Sequence, residues 1–364
     1  MRSFLLVTVA VSLAVIAAFP SVVSAQTCNP YTQGAWTVKA PIPTPLVRAW
    51  GQFYPANGNF YLMGGRQTDL AGSDYLNPRE YNPTTNVWTV KAATFANPSV
   101  NNMVGGILTV AGTDLIVVVG GSAAGATTAV ADVRYYNPVT DTLTVIATDP
   151  WPGDVSGTVL PGGGAVFNNS LYVLGGFNIN VSMISQIWQY NPAAAAGTRW
   201  TLKTGTLPAP RGYIPTARSG NFIYTGGGSD FVGGAVIDTN QSVRYDPTAD
   251  VVTAIAPIPR ATGETRAVLQ PFDNSIWVLG GGRVLPNPSA EVDVYNPASN
   301  TWSLAAAMPT ARRNFPADIV PNAPPIVGAR VWVSGGYSAA GTPITTNEQF
   351  TCTFPVDLMQ FGVE

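Results

Sequence analysis

Six short apolar runs, each ending in a double glycine, constrain this chain more than any other feature. They are Phe60 to Met63 before Gly64-Gly65, Leu115 to Val119 before Gly120-Gly121, and Leu171 to Leu174 before Gly175-Gly176. The second half continues with Phe222 to Thr225 before Gly226-Gly227, Ile276 to Leu279 before Gly280-Gly281, and Val331 to Ser334 before Gly335-Gly336. The units recur every 51 to 56 residues, the period of a structural array in which each unit needs its neighbours to bury a core. Apolar runs this short, bounded by glycine, read as buried strands.

A second marker keeps the same period. Between 15 and 19 residues after each first glycine comes an aromatic residue: Tyr81, Tyr136, Tyr190, Tyr245, Tyr295 and Phe350. Five of the six lead directly into Asn-Pro or Asp-Pro, a turn signal between two strands. Seven residues further on stands Trp88, Leu143, Val252 or Trp302, and Trp200 follows after ten because Ala193 to Gly197 lengthen the turn. Large aromatics at fixed offsets fill the wedge between neighbouring units.

Double glycine, tyrosine, then tryptophan resembles the kelch repeat, over about residues 28 to 352. The resemblance implies an all-β, six-bladed β-propeller of the galactose-oxidase-like kelch superfamily. It does not fix a function, since such propellers include enzymes, glycan binders and protein-docking scaffolds. Trp36-Thr-Val-Lys-Ala40 repeats the sequence at Trp88 and looks like the end of a unit, whereas the sixth unit stops near Cys352 without its last strand. The last blade is therefore expected to be closed by the N-terminal strand, residues 36 to 40. In that arrangement Cys28 and Cys352 meet at the seam, and an even cysteine count in an exported chain favours a disulfide between them.

Export is expected from the first residues: Arg2, an apolar run from Phe4 to Phe19, and the small residues Val23-Ser24-Ala25. The division is residues 1–25 as signal peptide, 26–353 as propeller and 354–364 as a C-terminal tail, in a protein secreted to an extracellular or periplasmic space. The tail resembles the short Pro-Val-x-Leu ending of some bacterial secreted proteins. No later stretch is long and apolar enough for a membrane span. Asn168, Asn180 and Asn240 are glycosylation sequons if the source is eukaryotic.

Composition excludes several chemistries. Eighteen basic and twenty acidic side chains leave a net charge of −2, without the basic footprint of nucleic-acid binding. There is no histidine, so neither the copper site of the galactose-oxidase-like enzymes nor a Ser-His-Asp hydrolase can be assembled. Sialidase boxes of the form Ser-x-Asp-x-Gly-x-Thr-Trp are absent as well. No metal or other cofactor is implied.

In a four-stranded blade the second-to-third and blade-to-blade connections share one face. Here they are long: Gln67 to Pro78, Ser122 to Val133, Phe177 to Gln186, Ser229 to Ser242 and Tyr337 to Glu348. The opposite face carries short turns. Sites gather on long loops held by rigid scaffolds, so the long-loop face is the expected working surface. Arg48, Arg211, Arg260, Arg266, Arg312 and Arg313 enter it, as ligand-binding residues for an anion or as partners of backbone carbonyls and of Asp69, Asp74, Asp230 or Asp238. Glu264 lies two residues before Arg266, on the same side if both are in a strand, and is the candidate acid/base. The leading expectation is a non-catalytic binding module for a glycan or an extracellular protein. The alternative, by resemblance to kelch-type sialic acid mutarotases, is a metal-independent sugar mutarotase or epimerase.

Overall fold

The computed structural model describes residues 34–271, 273–283, 287–320 and 330–352. The expected signal peptide (residues 1–25), Cys28 and the expected tail (residues 354–364) lie outside them. The described residues form twenty-six strands and no helix.

The chain opens with β1 (Gly34–Lys39) and then builds one blade after another. Blade one is β2 (Trp50–Tyr54), β3 (Asn59–Met63), β4 (Arg79–Asn82) and β5 (Val87–Val90). Blade two is β6 (Val104–Val110), β7 (Thr113–Val119), β8 (Val133–Asn137) and β9 (Thr142–Val145). Blade three is β10 (Val159–Phe167), β11 (Ser170–Asn178), β12 (Ser182–Tyr190) and β13 (Trp200–Leu202). Blade four contains β14 (Thr216–Ser219) and β15 (Phe222–Gly226), then a hairpin of β16 (Ser229–Val232) and β17 (Ala235–Asp238), and finally β18 (Ser242–Asp246) and β19 (Val251–Ala254). Blade five is β20 (Arg266–Leu269), β21 (Ile276–Gly281), β22 (Ser289–Asn296) and β23 (Thr301–Ala305). Blade six joins β24 (Ala317–Val320), β25 (Arg330–Ser334) and β26 (Asn347–Cys352) to β1, with Trp36 opposite Phe350 and Gly34 opposite Cys352. The N-terminal strand thus closes the last blade, as its sequence predicts.

The six first strands β2, β6, β10, β14, β20 and β24 pack on one another in a closed circle around a central channel. Glycine permits this closeness. A Cβ on Gly51 would lie 2.8 Å from the amide of Ala317 in the neighbouring blade. The double glycines serve blade contact too. Gly64 has φ +64°, and a Cβ there would stand 2.4 Å from the carbonyl of Val100.

The repeated aromatics are latches between blades. Trp36, Trp88, Trp200 and Trp302 donate their indole N–H to the carbonyls of Ala306, Ala40, Asp149 and Ala256, in the segment that follows the preceding blade's last strand (2.8–3.0 Å). Each packs on the aromatic of its own unit, as Trp88 does on Tyr81 at 4.9 Å. The outer turn adds a polar clasp at Asn86, Asp141, Asp250 and Asn300. Each accepts the hydroxyl of its own tyrosine and the amide of Ala40, Ala92, Thr204 or Ala256 in the previous blade. Burial would raise the pKa of Asp250, but hydrogen bonds from Thr204, Tyr245 and the Gly205 amide outweigh it and hold it at about 2. A folded-state value below the unfolded one means the clasp stabilises fully above about pH 4 and fades as the pH falls through about 2. Asp250→Asn, which copies Asn86 and Asn300, should therefore fold, and its stability in urea should converge with that of the parent chain between pH 4 and pH 2. A difference that stays constant over that range would rule the clasp out as a titrating element.

Two loop expectations change. Phe177 to Gln186 is not a long loop, because β11 and β12 extend through it to a tight turn, with Asn178 opposite Ser182. Apolar Phe177 and Met183 continue the strand alternation and bury together. Ser229 to Ser242 is ordered by the β16–β17 hairpin, with Gly233-Gly234 at its tip. The other three long connections are irregular, as expected.

Candidate functional site at the channel entrance

At the long-loop end, the chain bends sharply as it enters the innermost strands. Five blades make the bend with a non-glycine residue in the left-handed region: Arg48 (φ +61°), Asn102 (+60°), Tyr213 (+50°), Glu264 (+53°) and Asn314 (+53°). For the three that are not asparagine this costs about 1–3 kcal/mol each and persists only where surrounding contacts enforce it. Here the contacts run around the axis. The amide of Arg48 donates to the Asn314 carbonyl (2.7 Å), that of Asn102 to Arg48 (2.9 Å), and that of Asn314 to Glu264 (2.6 Å). At these three positions the bend turns the backbone toward its neighbour and narrows the channel. The space left inside this ring is about 20 Å³, enough for one water.

Glu264 is the hub. Its side chain is 0% exposed, with Oε1 3.0 Å from Arg283 Nη2 and Oε2 2.5 Å from Arg313 Nη1. Burial alone would raise its pKa, but the Arg48, Arg313 and Arg283 guanidiniums hold it below the ordinary carboxylate value. Burial would likewise lower that of Arg48, yet Tyr213, Glu264 and Tyr337 more than compensate and keep it firmly protonated. Arg313 lies over the Tyr337 ring at 4.6 Å, and the Tyr337 hydroxyl reaches Asp69, which pairs with Arg66.

Glu264 and Arg266 do not form the strand-face pair expected of them. Glu264 precedes β20 in a left-handed bend, which breaks the alternation and sends its carboxylate to Arg283 and Arg313 instead. Arg266, the first residue of β20, stacks on Trp50 at 4.9 Å and donates to the Ala49 carbonyl at 3.1 Å.

Of the six arginines singled out by sequence, Arg48 and Arg313 join this network, and Arg266 stands just inside it. The remaining three are engaged within their blades. Arg211 bonds Thr239 and Gln241. Arg260 pairs with Glu291 and Asp293 and donates to the Gly280 carbonyl. Arg312 is fully buried against Glu348 (2.7 Å) and donates to the carbonyls of Gly335 and Thr346. Sequence reasoning missed Arg283, Tyr213 and Tyr337. The available signal for Arg283 was its place directly after Gly280-Gly281-Gly282, on the same face.

Below the ring the channel widens to a cavity of about 410 Å³, bounded toward the short-turn end by Pro55 and Pro271. Among the described residues no cluster of acidic, cysteine or histidine side chains could hold a metal ion. Likewise, no helix of the described residues is long and apolar enough to cross a membrane.

Comparison with known proteins agrees with the repeat. The kelch motif matches residues 267–309. Kelch-like protein terF of Aspergillus terreus (strain NIH 2624 / FGSC A1156) is 26% identical over 263 residues, 69% of this chain and 53% of its own length. Beta-scruin of Limulus polyphemus is 27% identical over 194 residues, 51% of this chain and 19% of its own. Kelch-like protein 25 of Xenopus tropicalis is 24% identical over 171 residues, 46% of this chain and 27% of its own. The chain therefore spans about half the length of the first relative and much less of the other two. Among solved structures, one titled Structure of YjhT superimposes with a TM-score of 0.64 at 16% identity, covering 84% of this chain and 95% of that one. That likeness is one of fold.

Proposed function

Taking the chain as the kelch-repeat β-propeller it is, we propose that it is an exported binding module whose long-loop entrance holds an acidic group of an extracellular glycan or protein. The observation that carries this reading is an imbalance of charge. Arg48, Arg283 and Arg313 surround the carboxylate of Glu264, and with Asp238, which accepts the Arg283 amide at 2.7 Å, the cluster keeps one positive charge in excess. Two of the three guanidiniums reach solvent, Arg283 at 39% and Arg313 at 17% exposure. Planar guanidiniums of this kind pair with carboxylate or sulfate through two parallel hydrogen bonds.

The mutarotase alternative asks Glu264 to exchange protons with a substrate. General acid–base catalysis needs a pKa near the working pH and access to the reacting atom. Glu264 has neither, being wholly buried and held ionised by its arginines. Binding is the better use of this geometry.

Export is supported by the pattern of the first 25 residues, and it allows the Cys28–Cys352 bridge at the seam. Gly34 faces Cys352, with Cys28 six residues upstream. Protein recovered from the culture medium should show that bridge by mass spectrometry without reductant, and two free thiols would refute it. On an array of acidic and neutral glycans and peptides, the acidic members should be retained. Arg283→Ala should weaken their binding roughly 10- to 100-fold, since a charge-assisted hydrogen bond contributes about 1.5–3 kcal/mol. Asn82→Ala, on the short-turn face, should change nothing, and equal losses from the two variants would move the site off the long-loop face.

A further inference from the structure

The wide part of the channel lies beyond the ring and apart from the entrance network, and its contents call for a ligand of their own. Arg266 projects into this space without an acidic partner among the described residues. Among the described residues its one hydrogen bond runs from Nη2 to the Ala49 carbonyl, its Nε is buried with no acceptor, and its guanidinium lies over Trp50 at 4.9 Å. Burial pushes its pKa down to about 10, so it remains a cation at neutral pH. Such a group is costly to bury alone and is stabilised by any anion that enters.

The rest of the wall fits a small hydroxylated molecule. Asp318 on β24 accepts from Gln52 Nε2 (2.8 Å) and from the amides of Phe53 (2.6 Å) and Ile319 (2.8 Å). Gln52 also accepts from the Trp50 indole (3.3 Å), which ties the stacking surface to the carboxyl. Gly51, Gly105 and Gly164 present no side chains, so the space stays open. A cavity of about 410 Å³ is within the range of small-ligand sites.

We propose that this channel is a second binding site, entered from the short-turn end, which takes a small polyhydroxy carboxylate with its carboxylate on Arg266 and its hydroxyls toward Gln52 and Asp318. The inference does not depend on the entrance site. Protonation should tune it. Burial raises Asp318 to about 7 despite its two backbone hydrogen bonds. The charged groups facing the same space are Arg266 on the adjacent β20 and Arg218 on β14, which donates to the Gly220 carbonyl at 2.9 Å; β2 carries none, and Arg330 of β25 stands opposite Val320 at the strand end. Below about pH 7 Asp318 is neutral and can donate to the ligand; above it the new negative charge opposes a bound carboxylate.

Isothermal titration with glucuronate, gluconate and neutral glucose tests the proposal. The two acids should bind and glucose should bind at least tenfold more weakly. Arg266→Met should lower affinity for the acids at least tenfold, and should do so equally in an Arg283→Ala background, where the entrance is weakened and the channel remains. Affinity should fall several-fold from pH 6 to pH 8 in the parent chain and stay level in Asp318→Asn, a variant that retains Arg266 and serves if Arg266→Met does not fold. Failure of all three sugars to bind, equal binding of glucose, or a pH profile that Asp318→Asn leaves intact would each overturn the channel site without touching the entrance reading.

Discussion

Glu264→Gln should lower the unfolding free energy by about 3–5 kcal/mol, the usual cost of removing one partner from a buried ion pair. The substitution keeps the shape of the side chain and removes its charge. Arg48 and Arg313 then lie against a neutral amide in a space that holds one water at most, and the strained bends of the ring lose what holds them. Urea unfolding at pH 7 measures the loss. The pH dependence identifies its origin. Because the folded-state pKa of Glu264 lies below the ordinary 4.5, its contribution is complete above that value and disappears as the pH falls through the lower, folded one. The gap between parent and variant should therefore close in acid. A loss under about 1 kcal/mol at pH 7 would mean that the ring is held by packing and not by this carboxylate.

Breaking the buried pair in the sixth blade should have an effect of similar size. Arg312 and Glu348 are each 0% exposed and 2.7 Å apart, and Thr310 donates to the other Glu348 oxygen at 2.5 Å. Glu348→Leu leaves the guanidinium buried alone and should cost about 3–5 kcal/mol. Removing Arg312 as well, in Arg312→Met/Glu348→Leu, takes away the stranded charge but leaves the carbonyls of Gly335 and Thr346 without their donor, at about 1–3 kcal/mol. The double variant should thus be more stable than Glu348→Leu alone. Calorimetry on both variants decides the matter: if the double variant is the less stable of the two, the arginine works mainly as a carbonyl cap, as Arg260 does on Gly280.

The blades were legible because their signals are local. Trp88 reads as a partner of Tyr81 from a spacing of seven residues, and Trp36-Thr-Val-Lys betrays a strand that belongs to the far terminus by copying Trp88-Thr-Val-Lys. The extension of β11 and β12 was less so. Its signal, the alternation of Phe177 and Met183 around Ile179-Asn180, is short and contains a sequon and turn formers that resemble a loop. The arginines show the limit most clearly. Arg211, Arg312 and Arg313 enter the same kind of segment, yet Arg312 turns into its blade to meet Glu348 while Arg313, one residue on, reaches Glu264 in another.

Sequence by itself determined six repeats, their antiparallel strands, the seam closed by the N-terminal strand and the exclusion of histidine-dependent chemistry. Those follow from periodicity and composition, which act over a few residues at a time. Only the tertiary structure decided the site. Arg48, Asn102, Tyr213, Glu264 and Asn314 are some fifty residues or more apart in sequence and adopt backbone angles that no local preference requires of arginine, tyrosine or glutamate. They meet because six wedges closing on one axis bring the same bend of each blade to a common centre. There, burial makes every carboxylate choose among the guanidiniums within reach, and that choice depends on distances set by the closure of the ring.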